Sequence, residues 1–167
     1  VMLKLDESGN FVSVVSDRSS FRLQCLPQAD FPELSAGSFS HIFRLDSQAL
    51  KGLIEKTQFA ISTEETRYYL NGIFLHPHEE AGRLKLRSVA TDGHRLARAE
   101  VDAPAGSEGM PGIIIPRKTV SELQKLVDDP DVAVTAELSD TKIRFTIGSA
   151  VLTSKLIDGT FPDYERV

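Results

Sequence analysis

The chain has 167 residues, of which 41% are hydrophobic, with one cysteine and a formal net charge of −5. That length supports one buried core with residues to spare, and no apolar run approaches the ~20 residues of a membrane span, so no membrane partner is expected. The acid excess argues against a uniformly basic nucleic-acid coat, and a lone cysteine offers no disulfide framework, which points to a reducing cytoplasm.

The opening residues, VMLKLDESGN, lack the order of basic, apolar and small residues that marks a signal peptide. They read as a strand entered midway. Ser8 to Pro32 then reads as a β-branched strand, a polar turn, a second strand and a loop closing on Phe-Pro. Ser139 to Pro162 repeats that plan, with Leu26 matching Leu156 and Phe31 matching Phe161. The first turn, Ser16 to Ser20, reads about two residues longer than the second, Gly148 to Ala150. A strand pair that recurs suggests tandem copies of one domain. On that reading the chain holds the tail of one copy, one whole copy and the exit toward a third. Cys25 continues the alternation Phe21-Leu23-Cys25 and reads as a small buried apolar residue. Ser35 to Ser40 (SAGSFS) reads as an interdomain linker.

The central copy carries a smaller repeat. HIFRLDSQALKGLIEKTQ is a strand, an Asp46/Ser47 N-cap and a helix with Ala49, Leu50, Leu53, Ile54 and Thr57 on one face. GIIIPRKTVSELQKLVDD repeats it, Ile115 matching Leu45, Val120 matching Leu50 and Leu123 matching Leu53. Pro116 falls near the second helix start, where its missing N–H does no harm. Three strands follow each helix: Arg67 to Leu75, Arg83 to Ala90 and His94 to Val101, then Asp131 to Glu137, Lys142 to Ile147 and Val151 to Lys155. The expected fold is α+β, two βαβββ halves with each helix packed on largely antiparallel sheets. Ala103 to Gly112 joins the halves. The alternative is one α+β domain whose halves resemble each other by coincidence.

Between Arg83 and Arg98 stand five basic residues (Arg83, Lys85, Arg87, Arg95, Arg98) against Asp92 alone, which leaves room for a local basic surface. The sharpest string is TDGHRLA, Thr91 to Ala97. Asp92-Gly93 between strand-like runs signals a two-residue hairpin, with Gly93 supplying positive φ. His94, Arg95 and Leu96 then stand beside the turn, where a polar rim and an apolar wall can frame a shallow pocket.

TDGHRLA, preceded by RYYLNG and followed by SKLIDGTFPDYERV, resembles the bacterial DNA sliding clamp, the beta subunit of DNA polymerase III. The resemblance covers essentially the whole chain and agrees with the doubled halves. It implies the end of a first clamp domain at 1–38, the complete middle domain at 39–160, and a connector at 161–167 to a third. It also implies a non-catalytic processivity factor without cofactor or metal, which closes a homodimeric ring around double-stranded DNA without reading sequence. Its partners would be the polymerase III alpha subunit, the clamp loader and other proteins with a clamp-binding motif. The family's peptide pocket maps onto Leu70, Thr91, Gly93, His94, Arg95, Leu96, Pro162 and Val167. Leu70, Leu96, Pro162 and Val167 supply apolar area for a Leu or Phe anchor, and Thr91, His94 and Arg95 supply polar groups. The family's DNA-facing helices map onto Lys51, Lys56, Arg117, Lys118 and Lys125, whose mobile charges attract phosphates without reading bases. Arg67, Tyr68 and Tyr69 join that set by stacking or phosphate contact, one tyrosine turning into the core if the segment is a strand.

Other readings are weaker. His76-Pro77-His78-Glu79-Glu80 looks superficially like a metal cluster, and a metal-dependent hydrolase using His76 and His78 is the competing enzyme class; a solvated turn explains the string better. A triad of His94, Asp92 and a serine lacks a nucleophile elbow. The glycines form no phosphate-binding or dinucleotide fingerprint. A generic peptide-binding repeat module unrelated to replication is the remaining alternative.

Overall fold

The computed structural model describes residues 1–32, 34 and 37–166. The chain forms two compact units, Val1–Ser35 and Ala36–Val167. No helix among the described residues is long and apolar enough to cross a membrane.

In the first unit, β1 (Met2–Leu5), β2 (Phe11–Ser16) and β3 (Ser19–Gln24) form an antiparallel meander in that order. Ser16 pairs with Ser19, so the turn is Asp17-Arg18 alone. Asp17 takes φ +48°, a left-handed conformation that Asp tolerates and tight hairpins require. The matching hairpin of the second unit, between Ile147 and Ala150, also turns on two residues. The expected difference in turn length is therefore absent: serines that read as turn residues pair as strand. Cys25 is half-buried rather than buried, following a strand whose residues are all exposed. The linker read at Ser35 to Ser40 lies partly outside the described residues, at Ser35 and Ala36.

The second unit runs β4 (His41–Asp46), α1 (Ser47–Glu55), β5 (Gly72–Glu80), β6 (Arg83–Thr91) and β7 (Leu96–Asp102). It continues with β8 (Ile113–Pro116), α2 (Arg117–Leu126), β9 (Ala133–Leu138), β10 (Lys142–Ile147) and β11 (Ala150–Lys155). These are the two βαβββ halves the sequence suggests, and every strand pairing is antiparallel. The sheets are not one per half, however. Their orders are β11-β10-β9-β4 and β7-β6-β5-β8. The first strand of each half is lent to the three-stranded meander of the other.

Period-two alternation sorts the side chains. On β5, β6 and β8, residues Ile73, Leu75, Leu86, Ala90, Ile113 and Ile115 face the main core with α1, α2 and the other sheet. Their neighbours Val89 and Ile114 face the opposite side and form a second, smaller cluster with Leu70, Phe161 and Tyr164. Leu50, Leu53 and Ile54 supply the buried stripe of α1, each contributing about 1.5–3 kcal/mol of burial. Asp46 has the extended backbone of an N-cap, but its side chain caps nothing. Ser47 is the buried polar anchor instead, donating to the backbone carbonyls of Asp129 and Val132 ahead of β9.

Three local expectations fail for identifiable reasons. The first half of RYYLNGIFL is a 3-10 turn over Tyr68–Leu70 rather than strand. Arg67 and Tyr68 accept the Leu70 and Asn71 amides at 2.9 and 3.0 Å, while Asn71 donates from its side chain to the Glu64 carbonyl. These local bonds override the strand preference of the tyrosines. The HPHEE string is not a turn. It lies within β5, Pro77 opposite Leu86, and the turn is Ala81-Gly82 with φ +51° and +74°. β8 pairs with β5 only as far as Leu75, so Pro77 occupies a stretch where β5 is an edge and a missing N–H is tolerated. Finally, the β6–β7 loop holds four residues, Asp92 to Arg95, since Thr91 pairs with Leu96.

Candidate functional site

The four-residue loop is built by its own polar side chains. The Asp92 carboxylate accepts the His94 and Arg95 amides at 2.9 and 3.0 Å and pairs with the Arg95 guanidinium. Those bonds stabilise the ionised form and hold the Asp92 pKa at about 2. Thr91 Oγ1 donates to the Arg95 carbonyl and accepts the Gly93 amide. Gly93 sits at φ +88°, and a Cβ there would meet Arg67 Nη1 at 2.5 Å. Glycine thus serves both the backbone conformation and the close approach of Arg67.

Arg67 joins this loop to the 3-10 turn. Its guanidinium makes a two-point pair with Glu64, at 2.8 and 2.7 Å, and donates to the Asp92 carbonyl at 3.2 Å. Beside it a cleft of about 300 Å³ opens. Tyr69 and Leu70 come from the 3-10 turn, Thr91 and Gly93 to Leu96 from the hairpin, and Pro162 to Tyr164 from the segment after β11. Leu70 is buried at 3% exposure and forms part of the packed floor, whereas Leu96 is 38% exposed.

The cleft brings together Leu70, Thr91, Gly93, His94, Arg95, Leu96 and Pro162 of the sequence candidates; Val167 lies outside the described residues. It adds Arg67 and Tyr69, which the sequence reading assigned to DNA, and Asp163 and Tyr164, which it did not single out. Both Phe161 and Tyr164 are buried, and the tyrosine's place as an aromatic in the exit segment SKLIDGTFPDYERV was its signal in the sequence.

The other DNA candidates lie elsewhere. Lys51 of α1 pairs with Asp128 just past α2 at 2.8 Å, and Lys125 pairs with Glu122. Lys56, Arg117 and Lys118 are exposed. Tyr68 is 53% exposed, while Tyr69, edge to face with it at 5.8 Å, is half-buried and packs against the smaller cluster of Leu70, Val89 and Phe161, so one of the two turns inward although the segment is not a strand. The basic stretch 83–98 is largely neutralised across strands, Lys85 pairing with Asp102 and Arg87 with Glu100.

The hydrolase alternative finds no footing at His76 and His78. His76 Nδ1 lies 2.8 Å from the Pro77 carbonyl and Nε2 lies 2.8 Å from the Tyr164 hydroxyl, so both nitrogens are occupied. No group of three or more His, Cys, Asp or Glu side chains among the described residues could hold a metal ion.

Comparison with known proteins decides the family. The family model for the DNA polymerase III beta subunit, central domain, matches residues 44–163. The chain belongs to that family. Among curated relatives, the beta sliding clamp of Caulobacter vibrioides is 53% identical over 154 residues, covering 92% of this chain and 41% of the relative. That of Escherichia coli is 42% identical over 161 residues, covering 95% of this chain and 42% of the relative. Among solved structures, a DnaN sliding clamp from Bartonella birtlesii bound to griselimycin superposes with a TM-score of 0.91 at 59% identity, over 99% of this chain and 44% of that one. The chain spans about two fifths of the length of the beta subunits it matches.

Proposed function

We propose that this chain is the middle portion of a DNA sliding clamp, and that its cleft receives the short linear motif by which partners dock. Residues 1–38 would end the first domain, 39–160 form the second, and 161–167 lead to the third. The whole protein would close a homodimeric ring around duplex DNA in the cytoplasm, without catalysis, and tether the polymerase alpha subunit, the clamp loader and other motif-bearing proteins in turn.

The observation that carries the reading is the cleft itself. Residues far apart in sequence, Leu70, Leu96 and Pro162, converge on one mostly apolar depression rimmed by Thr91, His94 and Arg95. An apolar anchor would seat against Leu96 and Pro162 over the Leu70 floor, while the rim would orient the bound backbone. Arg67 and Tyr69 would serve this cleft, leaving Lys51, Lys56, Arg117, Lys118, Lys125 and Tyr68 as the surface for sequence-independent phosphate attraction. The relative bound to griselimycin is consistent with a clamp of this fold that takes up a ligand.

The test is a titration of isotope-labelled chain with a clamp-binding peptide, followed by NMR beside a scrambled control. Shifts confined to Leu70, Thr91 to Leu96 and Phe161 to Tyr164 are the expected result. Equal shifts with the scrambled peptide, or none in a chain extended through the next domain, would remove the reading.

A further inference from the structure

The cleft wall formed by Pro162, Asp163 and Tyr164 belongs to a short segment held by side chains. Phe161 stacks on Phe74 at 4.8 Å and 6° between planes, and Phe74 stacks in turn on His76 at 4.7 Å. Phe74, His76 and His78 alternate along β5 on the face away from the main core, so the segment lies along an aromatic strip. Its polar attachment is a relay. Arg87, at 1% exposure, donates from Nη1 to the Tyr164 hydroxyl at 3.3 Å. The hydroxyl lies 2.8 Å from His76 Nε2.

The relay has a defined direction. His76 Nδ1 faces the Pro77 carbonyl, which can only accept, so Nδ1 carries the proton and Nε2 of the neutral ring is an acceptor. Tyr164 accepts from Arg87 and donates to Nε2, leaving its oxygen and the ring both satisfied. Protonating Nε2 would aim a second cationic donor at the same hydroxyl. The surrounding groups are His78 on β5, Arg87 on β6 backed by Glu100 on β7, Glu80 at the end of β5, and Glu165 on the segment. Burial first, then the Arg87 and His78 charges, hold the imidazole below its ordinary value; the Pro77 bond and Glu165 oppose them.

We propose that His76 is a proton-sensitive positioning residue for the segment Phe161–Arg166, and so for one wall of the cleft. The link from wall to peptide affinity rests on the function proposed above. Because the docked ring prefers the neutral form, attachment is complete above the ordinary imidazole value. It weakens as pH falls from there through the lower value of the docked ring. His78 Nδ1 stands 3.2 Å from the Glu165 carboxylate, a second contact between β5 and the segment.

The experiment is a pH titration from 7.5 to 5 of the labelled chain, reading the His76 ring nitrogens and the amides of Asp163 to Arg166 together. At pH 7.5 the ring should show its proton on Nδ1. On acidification the ring and the amides should titrate with one midpoint, below the ordinary imidazole value. His76→Gln should make the amides insensitive to pH, and Tyr164→Phe should raise the ring midpoint and give shifted amides already at pH 7.5. Native amides that ignore pH would overturn the assignment, as would an unchanged response in His76→Gln, which would transfer it to the His78–Glu165 pair. A histidine-free clamp-binding peptide should bind the native chain severalfold more weakly at pH 5.5 than at 7.5, and His76→Gln equally at both. Equal affinity for the native chain would overturn the extension to the wall. If no peptide binds at any pH while ring and amides titrate together, the docking function fails and the positioning role stands.

Discussion

At the scale of single residues, the two leucines of the cleft behave differently under truncation. Leu70 packs with Val89, Ile114, Phe161 and Tyr164, so Leu70→Ala is expected to cost about 2–5 kcal/mol of stability and to disturb the cleft by collapse. Leu96 is more exposed. Leu96→Ala should leave the melting transition nearly unmoved and weaken peptide binding by about 1–3 kcal/mol, measured by calorimetry on a chain extended through the next domain. Unchanged affinity in a folded Leu96→Ala protein would take Leu96 out of the site. The loop should respond to acid in a set direction. Its Asp92 carboxylate is held low by the His94 and Arg95 amides, so its support is complete above the ordinary carboxylate value and is lost as pH falls through about 2. Amide protection at His94 and Arg95 should follow that course in the native chain and be absent at any pH in Asp92→Ala. The need for glycine at position 93 was legible from Asp-Gly alone. The role of Arg67 was not, because the Asp92 carbonyl, 25 residues on, reaches it only after folding.

At the scale of elements, the helices and most strands follow from apolar periodicity, β10 to the residue, although Thr57, read as part of the helix face, lies past the end of α1 at Glu55. What misled was local chemistry. Two tyrosines and a leucine favour a strand, yet the bonds from Arg67, Tyr68 and Asn71 wind them into a 3-10 turn, and that turn delivers Tyr69 and Leu70 to the cleft. A proline between histidines suggests a turn, yet the strand there is an edge. Glycine at position 72 marks the switch from turn to strand, where a Cβ would meet the Ile115 carbonyl oxygen at 2.2 Å. Gly72→Ala must therefore push β8 from β5 and should destabilise the domain by about 1–3 kcal/mol in denaturant titrations. A neutral outcome would mean the two backbones approach less closely than described. Arg87, buried between Glu100 and Tyr164, is expected to cost about 3 kcal/mol when changed to Ala, since Glu100 is left without its partner.

At the scale of the whole molecule, the fold class was legible and the strand exchange was not, because pairing between distant segments leaves no mark in local pattern. The helix charges also sort only in three dimensions. Lys51 and Lys125 have carboxylate partners, while Lys56, Arg117 and Lys118 are exposed. In the longer clamp, changing these last three to Glu should speed DNA loss and lower the slope of log affinity against log salt by about 0.9 for each phosphate contact removed. Peptide affinity should be unaffected, and a drop there would show that helices and cleft are not separate surfaces. The lent strands have a consequence for how the protein is made. While the second unit is being synthesised, β4 is the first of its strands to appear, yet its partner is β9, Phe43 lying opposite Ala136. β4 must remain unpaired until β9, well into the second half, has left the ribosome, a non-local closure that slows folding and leaves the strand prone to wrong pairing. The same interlocking makes the halves complementary: two polypeptides cut within Ala103 to Gly112 should each be unstructured alone and refold when mixed.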